Sequence, residues 1–163
     1  MLFNSFAFLG FFAAIAIAYY VVPHRWRWVL LLVASYYFYS TFQPTYLLLL
    51  AYSTAVAYGI GWLAAGRRGT LAGRTLLSLG IVGQLAVLGA LKYFNFFAGS
   101  FELALNGAGA FTEVIALPRL EFLLPAGLSF YAFSAISYMV DAFRGTIAPE
   151  RHLGKLALYI AFF

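Results

Sequence analysis

Seven polar side chains in one stretch have types and spacing that could do chemistry: Ser129, Tyr131, Ser134, Ser137, Tyr138, Asp141 and Arg144. Ser134, Ser137, Tyr138 and Asp141 stand at i, i+3, i+4 and i+7, and Tyr131 precedes Ser134 by three. On a helix these side chains share one stripe. Polar groups inside an apolar helix are costly unless they face protein or a water-filled cavity. The stripe is therefore either hydrogen-bonding glue between helices or the lining of a cavity. Asp141 and Arg144 are helical neighbours. They either anchor the helix end as a local ion pair or take part in catalysis. A second candidate is Lys92-Tyr93-Phe94-Asn95-Phe96-Phe97. Lys92 either snorkels outward on its flexible stem or pairs with an acid inside the protein, and Asn95 lies in the same element.

Much chemistry is excluded. Cysteine is absent, which removes disulfides, thiolate catalysis and Cys-ligated metals. No G-x-S-x-G, P-loop or H-E-x-x-H occurs. His24 lies beside Arg25 and His152 beside Arg151, in short basic segments that read as solvated. Glu150 near His152 is a weak signal. No metal site and no bound cofactor is expected, and no catalytic constellation is visible.

The elements that must position these residues are membrane helices. Of 163 residues, 64% are apolar and 9% charged, whereas soluble domains carry about 25% charged residues. Met1–Val22, Trp28–Gly66, Thr75–Leu91 and Phe122–Val140 hold no charge at all. Crossing a bilayer core of about 30 Å takes about 20 apolar residues. The longest uncharged run exceeds one crossing, and Gln43-Pro44 divides it. Five spans result: Phe3–Val22, Arg25–Phe42, Tyr46–Ala65, Thr75–Phe97 and Leu124–Phe143. A sixth begins near Leu153. The second span is short and is either a crossing helped by snorkelling Arg25 and Arg27 or an interfacial, re-entrant helix. The expected fold is an all-α polytopic membrane protein, one domain over residues 1–163. A retained first helix is expected rather than a signal peptide, because no basic residue precedes it.

Charge gives the orientation. Arg25 and Arg27, then Arg67, Arg68 and Arg74, then Arg144, Arg151 and Lys155 fall on one side of a five-span topology. By the positive-inside rule that side is cytoplasmic and the N-terminus extracytoplasmic. The net charge of +5 then reports topology. Nucleic-acid binding is not expected, since no basic stripe exists. Ala98–Phe122, with a turn at Asn106-Gly107-Ala108-Gly109, is read as an outer-side segment, either a surface connector or a lid.

Several segments resemble the membrane-bound O-acyltransferase (MBOAT) family, nearest to its bacterial alginate O-acetyltransferase and D-alanyl transfer branch. They are Met1–Leu9, Ser35-Tyr36-Tyr37-Phe38-Tyr39 with Pro44-Thr45-Tyr46, and Lys92–Phe97. Most specific is Leu124-Pro125-Ala126-Gly127-Leu128-Ser129-Phe130-Tyr131, continuing through Ser137-Tyr138 and Asp141 to Arg144-Gly145. The resemblance covers essentially the whole chain. It implies a ring of helices around a tunnel in a bacterial inner membrane. It also implies acyl transfer, with acetyl the expected group, from a cytoplasmic thioester donor (acetyl-CoA or an acyl carrier) to hydroxyls of an exported polysaccharide. A periplasmic acyltransferase is a possible partner in such systems. The family's catalytic base is a tunnel histidine in its C-terminal half, and neither His24 nor His152 matches its motif. The chain is therefore expected to be the N-terminal part of such an enzyme, inactive by itself, with the seven residues above positioning substrate. The alternative is a non-catalytic scaffold or a subunit of a split acyltransferase.

Overall fold

A computed structural model describes residues 6–41, 45–107 and 127–162, with the side chains of Thr45, Asn95, Leu103, Leu105, Asn106 and Leu128 excepted. Every regular element among them is helical: α1 (Phe6–Val21), a 3-10 turn (His24–Trp26), α2 (Arg27–Ser40), α3 (Thr45–Ala65), α4 (Leu71–Gly107), α5 (Leu128–Arg144) and α6 (Leu153–Ala161). Local chemistry explains how hydroxyls survive in such apolar helices. Ser35, Ser40 and Thr41 each donate to the carbonyl of Leu31, Tyr37 or Phe38, at 2.7–2.8 Å. A hydroxyl that bonds its own helix needs no outside partner. Thr70 starts α4 in the same economical way, donating to Arg67 O and accepting the Gly73 N–H at 3.1 Å. Gly145 ends α5 at φ 87°, where its N–H reaches Asp141 O.

Two helices are long and apolar enough to cross a membrane, at Tyr46–Ala65 and Leu71–Phe94. They overlap the third and fourth expected spans, Tyr46–Ala65 and Thr75–Phe97. α1, α2 and α5 have 16, 14 and 17 residues, shorter than the spans expected around them. The expected second span loses its start to the 3-10 turn, which follows Pro23.

One boundary is corrected. A connector was expected to begin at Ala98, but α4 runs unbroken to Gly107, 37 residues in all. At helical rise this is about 55 Å, well beyond a bilayer core of about 30 Å. Residues 97–104 hold no proline, the single Gly99 is carried through the helix, and Ser100 donates back to Phe96 O at 2.9 Å. Loss of apolar run length at Glu102 does not end a helix. The rest of that segment, the Gln43-Pro44 break and Leu124–Ala126 lie outside the described residues.

α3 is the centre of the packing. It touches α2, α4, α5 and α6, while α1 packs only on α2 among the described residues. Two helix triplets, α2–α3–α6 and α3–α4–α5, share α3 and are joined by an α5–α6 contact. The edge helices α1 and α4 do not meet, so the described helices form an open layer. Phe38, Leu50, Ala57, Tyr131, Ala135, Met139 and Ile160 form its core. Close approach is set by glycines. A Cβ on Gly61 would lie 2.7 Å from the Tyr138 ring, and one on Gly154 would lie 2.7 Å from Trp28. Deep between α3 and α4, Ser53 Oγ donates to Gln84 Oε1 at 3.1 Å and Gln84 Nε2 donates to Ser53 O at 3.2 Å. Both residues are buried. Outward, Phe6, Leu9, Phe12 and Ile17 on α1 and Leu79, Val82, Phe96 and Phe97 on α4 are exposed. Such apolar faces suit lipid or further helices.

Candidate functional site

The three basic segments converge at one end of the bundle. Arg68, between α3 and α4, donates to Ala142 O near the end of α5 at 2.6 Å. Its guanidinium satisfies a last-turn carbonyl that the helix leaves open. His24, Arg25 and Arg27 share one pocket with Lys155 of α6. The grouping read from charge alone is therefore a grouping in space.

The connector between α5 and α6, residues 145–152, is held at this end by hydrogen bonds from two helices. Tyr138 Oη accepts the Glu150 N–H at 2.9 Å. Trp62 Nε1 donates to Glu150 O at 2.9 Å, and Tyr58 Oη donates to Arg151 O at 3.1 Å. Tyr58 and Trp62 are four apart and so face the same way on α3. The Glu150 carboxylate accepts the His152 N–H at 3.0 Å. That bond holds the Glu150 carboxyl below the ordinary carboxylate range, while partial burial works the other way and Lys155 adds a smaller lowering.

Around this connector lies a pocket of about 410 Å³ whose walls include Tyr138, Asp141, Ile147, Glu150, Lys155 and Tyr159. It offers two carboxylates, an ammonium and two phenols between apolar walls. A carboxylate with a lowered pKa is a weak base. Glu150 is thereby suited to binding rather than to proton abstraction. Among the described residues, no group of three His, Asp or Glu could hold a metal ion.

The expected polar stripe divides. Tyr138 and Asp141 line the pocket. Tyr131 is buried at the other end of α5, edge-on to Tyr39 of α2 with ring centroids 5.4 Å apart, and the two hydroxyls are hydrogen-bonded. Ser137 is exposed, and Ser129 and Ser134 are half-buried. Ser137 thus stands outside the helix packing, because the buried face of α5 follows Ala135, Tyr138, Met139 and Ala142. Arg144 is exposed and is not among the residues that line the pocket. Lys92 is exposed, with its ammonium 5.5 Å from the Tyr93 ring centroid. Asn95 lies on α4, with its side chain outside the described residues.

Sequence reasoning missed Tyr58, Trp62 and the Ser53–Gln84 clamp, and read Arg68 and Lys155 only as markers of topology. Two signals were present. Pro149-Glu150-Arg151-His152 is a charged island between apolar runs, and Tyr58 with Trp62 supplies two long hydrogen-bond donors one turn apart.

Comparison with known proteins gives three informative matches. The chain is 39% identical over its whole length to a probable alginate O-acetylase of Azotobacter vinelandii, covering 32% of that protein. It is 39% identical to the probable alginate O-acetylase of Pseudomonas aeruginosa, again along the whole chain and over 31% of the relative. A peptidoglycan O-acetyltransferase of Helicobacter pylori is 28% identical over 84% of the chain and 24% of the relative. The chain spans about a third of the length of the curated alginate O-acetylases it matches. No protein-family model and no solved structure matches it. The alignments agree with the resemblance carried by the motifs: along its whole length, the chain is similar to about a third of the probable alginate O-acetylases.

Proposed function

We propose that this chain supplies scaffold and substrate-positioning elements of a membrane O-acetyltransferase acting on an exported polysaccharide. The observation that carries the reading is the whole-length match to alginate O-acetylases. The end where the basic segments meet is the cytoplasmic one, by the positive-inside rule, and the N-terminus is extracytoplasmic. The enzyme sits in the bacterial inner membrane and crosses it several times. An acyl thioester, acetyl-CoA or an acyl carrier, arrives at the cytoplasmic end. There Tyr138 and Asp141 wall the 410 Å³ pocket beside the α5–α6 connector. The acetyl group goes to a polysaccharide hydroxyl, directly or through a periplasmic acyltransferase. Further helices close the open layer into a ring, covering the apolar edges of α1 and α4.

No catalytic role is assigned to His24 or His152. Both are exposed, and neither lines the pocket beside Tyr138 and Asp141. The 163-residue chain alone is accordingly inactive. The test is acetyl-ester formation from a radiolabelled acetyl thioester, measured in membranes carrying the intact gene product and in membranes carrying residues 1–163 only. Label in the polysaccharide with the first and none with the second is expected. Transfer by residues 1–163 with His24→Ala and His152→Ala would overturn the scaffold assignment. No transfer by the intact product would overturn the acetyltransferase reading itself.

A further inference from the structure

A second pocket, of about 400 Å³, lies at the same end beside the first and shares Lys155 with it. Nothing in the acyl-transfer reading uses it. Its charged lining is wholly basic: Arg25, Arg27 and Lys155, with His24 beside them. These come from the α1–α2 turn, the start of α2 and the first turn of α6, so the fold gathers them from separate parts of the sequence. The rest of the lining includes the apolar side chains of Trp28, Leu31 and Leu158.

Arg27 is held in place before any ligand arrives. Its Nε donates to Val22 O at 3.2 Å, and its guanidinium carbon stands 4.8 Å from the centroid of the Tyr19 ring. One nitrogen is thus consumed in fixing the plane, and the two terminal nitrogens are left without a partner among the described residues. A fixed guanidinium fork is suited to two oxygens of one phosphate. Stacking on Tyr19 reduces the side-chain entropy lost on binding. Lys155 adds a mobile point charge from the facing helix. Gly154 lets α6 approach Trp28 closely enough to bring that charge in, since a Cβ there would lie 2.7 Å from the indole.

We infer that this pocket binds the phosphate of an anionic phospholipid. Arg27 and Lys155 clamp the headgroup, and Trp28, Leu31 and Leu158 receive the first carbons of its chains. An anion beside an apolar wall, at the end of a membrane helix bundle, is the chemistry the lining selects. A free phosphate would use the clamp but leave the wall empty. The inference is independent of the acetyl-transfer reading, because it concerns binding and needs no turnover.

The test uses the intact protein in an uncharged detergent. Binding is followed by native mass spectrometry and by tryptophan fluorescence with dihexanoyl phosphatidic acid, dihexanoylglycerol and inorganic phosphate. Phosphatidic acid is expected to bind well, with the other two at least about tenfold weaker, each lacking one half of the ligand. Arg27→Lys keeps the charge but loses the fork, and is expected to weaken phosphatidic acid about tenfold. Lys155→Gln, at an exposed side chain with no structural hydrogen bond, should weaken it to a similar degree without disturbing the fold. Arg74→Gln, exposed at the same end but outside the pocket, should change nothing. Equal binding of dihexanoylglycerol, or equal loss in Arg74→Gln, would overturn the clamp. Unchanged binding in both Arg27→Lys and Lys155→Gln would do the same. Equal binding of inorganic phosphate would overturn the lipid assignment.

Discussion

α5 uses two tyrosines, two turns apart, for opposite purposes. Tyr131 is 2% exposed, packed edge-on against Tyr39 and hydrogen-bonded to it, with Tyr46 close by. Tyr138, two turns on, is also buried, yet its hydroxyl accepts the Glu150 N–H and its ring borders a pocket. The first tyrosine closes a core in which hydroxyls satisfy one another. The second presents its ring to packing and its oxygen to a polar connector. Burial alone does not distinguish them; the partner of each hydroxyl does. The difference places rigidity at the Tyr131 end and a ligand-sized opening at the Tyr138 end.

Removing the ring at the rigid end should have the largest effect. Tyr131→Ala would leave a large cavity between α2, α3 and α5. A loss of about 3–5 kcal/mol is expected, the range for a large buried aromatic truncated to alanine. Thermal unfolding of the purified protein in detergent would measure it. Tyr131→Phe keeps the ring and strands the Tyr39 hydroxyl, so about 1–3 kcal/mol is expected. If the two variants proved equal, the hydroxyl pair rather than ring packing would dominate this end.

Next in size is a change that attacks the other end from behind. Gly61→Ala places a Cβ 2.7 Å from the Tyr138 ring, and overpacking of this kind costs about 1–3 kcal/mol. Gly59→Ala, two residues away with nothing within 4 Å of its Cβ, is the control and should cost nothing. It is expected to gain slightly, because glycine is a poor helix former. Equal unfolding temperatures for the two variants would show that the Tyr138 ring moves freely. The contrast drawn between the two ends would then fail.

The stripe shows how far the sequence could be read. Its spacing put Tyr131, Ser134, Ser137, Tyr138 and Asp141 on one side of a helix, and the helix is there. Spacing could not say that the centre of the buried face follows Ala135 and Met139, because alanine carries no polar signal and α3 decides which side is covered. Ser137 therefore came out exposed. The convergence of basic segments was legible, because positive-inside bias depends on side and not on contact. The connector's hydrogen bonds were not legible. They join residues 58 and 62 to residues 150 and 151, and only packing of α3 against the α5–α6 corner brings these together. The end of α4 was misplaced because charge marks a membrane boundary, whereas backbone geometry marks a helix boundary.

A smaller effect is expected from Tyr138→Phe. The ring and its packing on Gly61 remain, and the Glu150 N–H loses its acceptor. An orphaned, part-buried amide costs about 1–3 kcal/mol, with nearby water bringing the value to the lower end. The loss should be local. Hydrogen exchange at Glu150 and Arg151 should quicken while the Tyr131 end keeps its protection. Uniform quickening along α5 would show that the connector and the core unfold together.

The smallest effect concerns Glu150 and gives the two ends different responses to acid. Its carboxyl is lowered chiefly by the His152 N–H, so the folded state favours the ionised form. Stability from this contact is present in full above the ordinary carboxylate range. It is lost as pH falls through the lower folded-state value. The Tyr131–Tyr39 pair itself carries no carboxyl group. Acidification should therefore quicken exchange of the His152 amide before any amide near Tyr131 responds. Glu150→Gln should show the fast His152 exchange already at neutral pH, and should remove its acid dependence. If His152 exchange stayed flat through the acid range in the parent protein, the carboxylate would not be holding the corner. The connector would then rest on Tyr58, Trp62 and Tyr138 alone.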